Sequence, residues 1–163
     1  MSREGLVHLY YGPGKGKTTA AFGLAARSLG HDRSVRIVQF MKGHERMHDQ
    51  YGEVQLFRSV EDVRVAQYPV WHVSDGSELS EEDVRTLEEG LQEAGDAVSG
   101  GAADVVVLDE VTLLAHFDVV GPGRLVDLVA SRSAGVEVVL TGRTAPPAVV
   151  DAADYVTHRE NER

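Results

Sequence analysis

Leu6-Val7-His8-Leu9-Tyr10-Tyr11-Gly12-Pro13-Gly14-Lys15-Gly16-Lys17-Thr18-Thr19-Ala20-Ala21 is the stretch that decides the fold. Its first six residues read as a buried strand, and the Ala- and Leu-rich run from Thr18 to Leu29 reads as a helix closed by Gly30. Between them lies a glycine-rich turn ending in Gly-Lys-Thr. In that context glycines let successive backbone N–H groups turn inward, forming an anion nest at a helix N-terminus. Gly12, Gly14, Lys15, Gly16, Lys17, Thr18 and Thr19 are therefore the candidate phosphate-binding residues. Lys17 adds a positive charge and the Thr18 hydroxyl suits a magnesium ion. The usual pattern has a glycine one step earlier, where Tyr11 stands.

Working outward, Val35–Phe40 reads as a second strand and Glu53–Phe57 as a weaker third, while Arg58–Ser77 reads as irregular. Ser80 is placed to cap a helix, with Asp83 three residues on as its capping partner. Val84, Leu87, Leu91, Ala94 and Val98 then form one apolar helix face. Asp104–Asp109 and Val136–Leu140 read as strands buried on both faces, Leu125–Val129 as a helix, and Tyr155–Thr157 as a short last strand. Apolar strands alternating with helices predict an α/β fold with a mostly parallel sheet, right-handed crossovers and helices on both faces. Ligands of such sheets lie at the carboxyl ends of the strands. Across its 163 residues the chain shows no repeat or linker, so residues 1–163 are read as a single nucleotide-binding domain.

Two further motifs fall at strand ends. Val105-Val106-Val107-Leu108-Asp109-Glu110 carries a carboxylate out of a buried strand, as phosphate-loop proteins do to hold magnesium; this assigns Asp109 to the metal. Glu110 either binds a metal-bound water or orients a substrate. Thr141-Gly142-Arg143 brings a guanidinium to the same edge, where it suits a phosphate by shape and charge; the alternative is a solvated arginine. His44-Glu45-Arg46-Met47-His48 matches a zinc-protease signature, but no apolar face supports a helix there, and the stretch reads as a polar loop. Trp71, the only tryptophan, is either core packing or a flat surface for a planar ligand.

Bulk properties narrow the partners. A net charge of −10 argues against a surface built for the nucleic-acid backbone, while Lys15 and Lys17 make the glycine-rich loop locally positive. That contrast suggests a small anion. No cysteine is present, so disulfides and thiolate metal sites are excluded. No apolar run is long enough to span a bilayer, and the expected location is cytoplasmic.

Taken together, the motifs resemble the P-loop ATP:corrinoid adenosyltransferases. Gly5-Leu6-Val7-His8 with Gly14–Ala21, then Gly23-Leu24-Ala25, Gly30-His31 and Val38-Gln39-Phe40-Met41-Lys42-Gly43, are similar to the first half of that family. Val106–Glu110, Glu137–Pro147 and Asp151–Thr157 are similar to its second half, in the same order. The family's phosphate loop also lacks the early glycine. The resemblance implies a RecA-like P-loop fold, a homodimer, ATP with Mg2+ (or Mn2+), and a corrinoid co-substrate whose cobalt is reduced by a flavoprotein. It implies transfer of the 5′-deoxyadenosyl group to cobalt(I), with Lys17, Glu110 and Arg143 as catalytic candidates. Where many members carry Gly-Phe-Thr-Trp before the central helix, this chain has Tyr68-Pro69-Val70-Trp71-His72-Val73, making Trp71 the candidate at the corrinoid. The family's Lys-His-Pro-Tyr-type tail has no counterpart before Arg163. The alternatives are an ATP-binding relative without the corrinoid site, and a P-loop NTPase or kinase, for which no acceptor-directed base is identified.

Overall fold

The computed structural model describes residues 5–42, 51–70 and 78–162. Six strands form one sheet: β1 (Val7–Tyr11), β2 (Val35–Phe40), β3 (Val63–Tyr68), β4 (Val105–Asp109), β5 (Glu137–Gly142) and β6 (Tyr155–His158). Their order is β3-β2-β4-β5-β1-β6, with every neighbouring pair parallel. Parallel pairing puts all the strand carboxyl ends on one edge, and Tyr11, Phe40, Asp109 and Gly142 finish there together. The helices are α1 (Lys17–Leu29), α2 (Gly52–Arg58), α3 (Glu81–Gly100), α4 (Leu113–His116), α5 (Pro122–Ala130) and α6 (Pro147–Asp151).

The period-2 alternation of strand side chains divides the core in two. Val106 and Leu108 of β4, Val138 and Leu140 of β5, and Val38 and Phe40 of β2 join the apolar residues of α3 and α5 on one face. Val105, Val107, Val139, Val35 and Ile37 pack on the opposite face with Ala21, Phe22 and Ala25 of α1 and Val54 and Phe57 of α2. Helices therefore cover both faces, as the alternating pattern predicts. Among the described residues no helix is long and apolar enough to cross a membrane.

Two elements differ from the sequence expectation. Glu53–Phe57, read as a strand, lies in helix α2: Val54 and Phe57, three apart, are both buried, and Phe57 meets Phe22 of α1 edge to face at 5.0 Å. A short segment with two apolar anchors fits either period, and packing under α1 selects the helix. The true third strand is Val63–Tyr68, inside the stretch read as irregular. It is an edge strand paired residue for residue with β2; only Val63 is buried, so it shows little apolar signal. The short helices α4 and α6 carry no signal of their own in the sequence. They are four and five residues long, below the length at which periodicity shows.

Helix α3 begins as its sequence foretells. Asp83 N–H donates to Ser80 Oγ at 3.1 Å, while Ser80 N–H donates to Asp83 Oδ2 at 2.8 Å, a reciprocal capping box. Leu87, Leu91, Ala94 and Val98 are buried, and Val84 is half-buried at the start of the same face. Ser80→Ala should lower the unfolding free energy by about 1–2 kcal/mol in urea titration without changing the nucleotide-facing edge. A change below the scatter of the titration would mean that the box adds nothing to packing.

Candidate active site

The glycine-rich loop closes between the ends of β1 and the start of α1. Gly16 precedes α1 with φ 95° and no side chain caps the helix, so its first-turn N–H groups stay available to a ligand. Gly12 has φ 119°, and a Cβ there would lie 2.3 Å from the Arg159 carbonyl oxygen. The segment leaving β6 lies against this loop: Arg159 N–H donates to Tyr11 O at 2.8 Å, and Gly14 N–H donates to Arg159 O at 2.8 Å. Lys15 N–H donates to Asn161 Oδ1 at 3.1 Å. Lys15 and Thr19 are themselves exposed.

Lys17 is buried and folds back across the loop, its Nζ donating to Gly12 O and Gly14 O at 2.7 Å each. Burial pushes its pKa below the usual value; Glu110 and Asp109 oppose that shift, and the nearby charges of Arg143 and Lys42 add to it. The Arg143 side chain is exposed at the end of β5, near enough for Lys17 to feel its charge.

Asp109 is the centre of the edge. It is fully buried at the end of β4 and accepts four hydrogen bonds. Thr18 Oγ1 (2.9 Å) and Thr141 Oγ1 (2.7 Å) donate to its Oδ1; Gln39 Nε2 (3.0 Å) and Lys42 Nζ (2.7 Å) donate to its Oδ2. Gln67 Nε2 donates to Gln39 Oε1 at 2.8 Å, which fixes the Gln39 amide from the neighbouring strand. Lys42 Nζ also donates to Thr18 Oγ1 at 2.8 Å and lies 3.5 Å from Glu110 Oε1. Burial opposes the charge on Lys42, but Asp109 and Glu110 outweigh it and hold its pKa above the ordinary value.

Glu110 follows with φ 62°, a left-handed conformation in which non-glycine residues are uncommon. Its N–H donates to Thr141 Oγ1 at 2.8 Å, so one hydroxyl orients both acidic residues. The Glu110 Oε2 atom is buried and has no hydrogen-bond partner among the described residues. A buried carboxylate oxygen left open at such an edge is a contact in waiting for a ligand.

The described site thus brings Gly12, Gly14, Gly16, Lys17, Thr18, Asp109, Glu110 and Arg143 to one edge. Trp71 and the His44–His48 pentapeptide lie outside the described residues. Sequence reading missed Gln39, Thr141 as the orienting hydroxyl, and Lys42 as an ion partner. The available signal was a polar residue at the end of an apolar strand, but its use depends on β2 and β5 flanking β4.

The sequence profile of the family described as ATP:corrinoid adenosyltransferase BtuR/CobO/CobP matches residues 3–163. The chain belongs to this family. Corrinoid adenosyltransferases of Pseudomonas aeruginosa and of Escherichia coli K12 are each 32% identical to it. These alignments cover 94% and 96% of the chain, and 74% and 77% of the respective relatives. The crystal structure of a KaiC-like protein from Pyrococcus horikoshii superposes with a TM-score of 0.56 at 18% identity, covering 98% of this chain and 76% of that one. That likeness establishes the P-loop type of α/β fold for the adenosyltransferase chain.

Thr141→Val keeps the shape of the side chain, removes a donor to Asp109 and leaves the Glu110 N–H without an acceptor. It should cost about 1–3 kcal/mol of stability by chemical denaturation. An unchanged midpoint would show that the hydroxyl does not hold the two carboxylates.

Proposed function

We propose that this chain catalyses transfer of the 5′-deoxyadenosyl group of ATP to the cobalt(I) of a corrinoid, releasing triphosphate. The observation that supports it most is a family match spanning residues 3–163 whose phosphate loop, Asp109 and Arg143 meet at one sheet edge. In this reaction the electron pair on cobalt(I) attacks the ribose C5′. The C5′–O bond breaks, its electrons leave with the triphosphate, and cobalt becomes cobalt(III) bound to carbon. The protein supplies no nucleophile and needs no base, which agrees with a site made of cations, amides and fixed carboxylates.

Its task is to bind and stabilise the leaving group. The open amides at the start of α1 and the Lys17 ammonium receive the phosphates, and Arg143 reaches them from the neighbouring strand end. Lys17 is already held beside the loop by Gly12 and Gly14, so only its hydrogen bonds have to be exchanged. A divalent cation, Mg2+ or Mn2+, fits Thr18 Oγ1 and Asp109, since these hard oxygens already hold a positive group, the Lys42 ammonium. Such an ion would neutralise part of the triphosphate charge. The open oxygen of Glu110 suits a metal-bound water or a substrate hydroxyl. Trp71 is assigned to the corrinoid face. A homodimer, a flavoprotein reductant, a cytoplasmic location and a single functional unit complete the reading.

Reduced cobalamin, ATP and Mg2+ incubated with the protein should develop the visible spectrum of a carbon–cobalt bond. Lys17→Ala should abolish that signal and weaken ATP binding by about 1.5–3 kcal/mol, tenfold or more in Kd, with the fold intact by circular dichroism. Unimpaired ATP binding by the variant would overturn the assignment of the loop. Absence of the spectrum with the parent protein would overturn the transfer reaction.

A further inference from the structure

Lys42 is unassigned in the reaction just described, yet it occupies the central place in the site. It lies two residues beyond β2, where Met41 takes a left-handed φ of 57° and donates its N–H to Tyr68 O at 2.8 Å. That turn brings Lys42 back over the sheet edge toward β4. Its ammonium is held by Thr18 Oγ1 at 2.8 Å and Asp109 Oδ2 at 2.7 Å, with Glu110 Oε1 at 3.5 Å. Its side chain is only 16% exposed and that of Asp109 is 0% exposed, so water cannot substitute freely for the ammonium.

We propose that Lys42 is the counter-ion of Thr18 and Asp109 in the nucleotide-free protein and must vacate them before a divalent cation can enter, which makes metal binding conditional on nucleotide. The inference rests on the metal–nucleotide reading above. An ammonium and a divalent cation compete for the same Thr18 and Asp109 oxygens, and their like charges repel at that distance. Unlike a metal, the ammonium is tethered, so it is present at every concentration and always competes.

The chain alone is also a poor metal site. Among the described residues no three His, Asp or Glu side chains converge to hold an ion. Triphosphate changes both terms. Its oxygens complete the coordination of the metal, and they offer the displaced ammonium a new anionic partner within reach of a flexible four-carbon stem. Lys42 is thus a positioning residue. It keeps Thr18 and Asp109 aligned in the nucleotide-free protein, and it releases them when the nucleotide makes its departure favourable.

The test is Mn2+ binding to the full chain, followed by electron paramagnetic resonance, with and without ATP. Lys42→Met keeps a flexible unbranched side chain, one atom shorter, and removes the charge. Without nucleotide, the variant should bind Mn2+ at least tenfold more tightly than the parent, and the difference should narrow when ATP is present. Equal or weaker binding by the nucleotide-free variant overturns the inference.

Because the substitution takes a partner from a buried carboxylate, a second measurement uses the unaltered protein. The side-chain ammonium signals of Lys42 and Lys17 are followed by 1H–15N NMR. The Lys42 signal should stay in place when Mg2+ alone is added and shift when Mg2+ and ATP are added together. A Lys42 signal that moves with Mg2+ alone, or stays fixed while that of Lys17 responds to Mg2+–ATP, overturns the proposal but leaves the nucleotide site standing. If neither lysine responds to Mg2+–ATP, the reading of the loop as a nucleotide site falls, and the inference with it.

Discussion

A carboxylate with no exposure to water, placed where four strands end, governs this structure. Burying the Asp109 charge costs several kcal/mol unless hydrogen bonds and an opposite charge compensate. Here the compensation comes from four residues on three elements and one turn: Thr18 on α1, Gln39 on β2, Lys42 in the turn after β2 and Thr141 on β5. Each is fixed in turn by its strand or helix, so satisfying one charge aligns the phosphate loop with the sheet edge. The loop and the Asp109 carboxylate are thereby in register before any ligand arrives, and what remains to be exchanged is confined to the ammonium groups of Lys17 and Lys42.

The glycines of the loop serve the fold as well as the ligand. A Cβ on Gly12 would strike the Arg159 carbonyl at 2.3 Å, and one on Gly14 would lie 2.8 Å from the same residue's carbonyl carbon and oxygen. The segment leaving β6 is hydrogen bonded to Tyr11 and Gly14, so the outside of the loop is braced while the helix end stays open. On the far side, Thr112 packs so closely over Gly142 that a Cβ there would lie 1.8 Å from its hydroxyl oxygen. The ends of β1 and β5 and the phosphate loop are therefore closely packed, and Arg143 lies near enough for Lys17 to feel its charge.

Much of this was legible in the sequence for definite reasons. A largely apolar six-residue strand, a glycine-rich turn and an Ala-rich helix read as one unit because each part has a distinct local pattern. Asp109 was legible because four apolar residues precede it in a strand buried on both faces. The exchange of α2 and β3 shows the limit: Val54 and Phe57 satisfy either period, and an edge strand such as Val63–Tyr68 buries too little to announce itself. Lys42, Gln39 and Thr141 acquire their roles from β2 and β5 flanking β4. Strand order is a tertiary fact, and no periodicity along the chain encodes it.

The bond that breaks in ATP tests the central claim most directly. ATP carrying 18O at the 5′ bridging position is incubated with the protein, Mg2+ and reduced corrinoid, and the products are analysed by mass spectrometry. Attack of cobalt on C5′ leaves the label in intact triphosphate, with an unlabelled carbon–cobalt adenosyl product. Label retained on adenosine or on a nucleoside phosphate, with the cleavage at phosphorus, would contradict it.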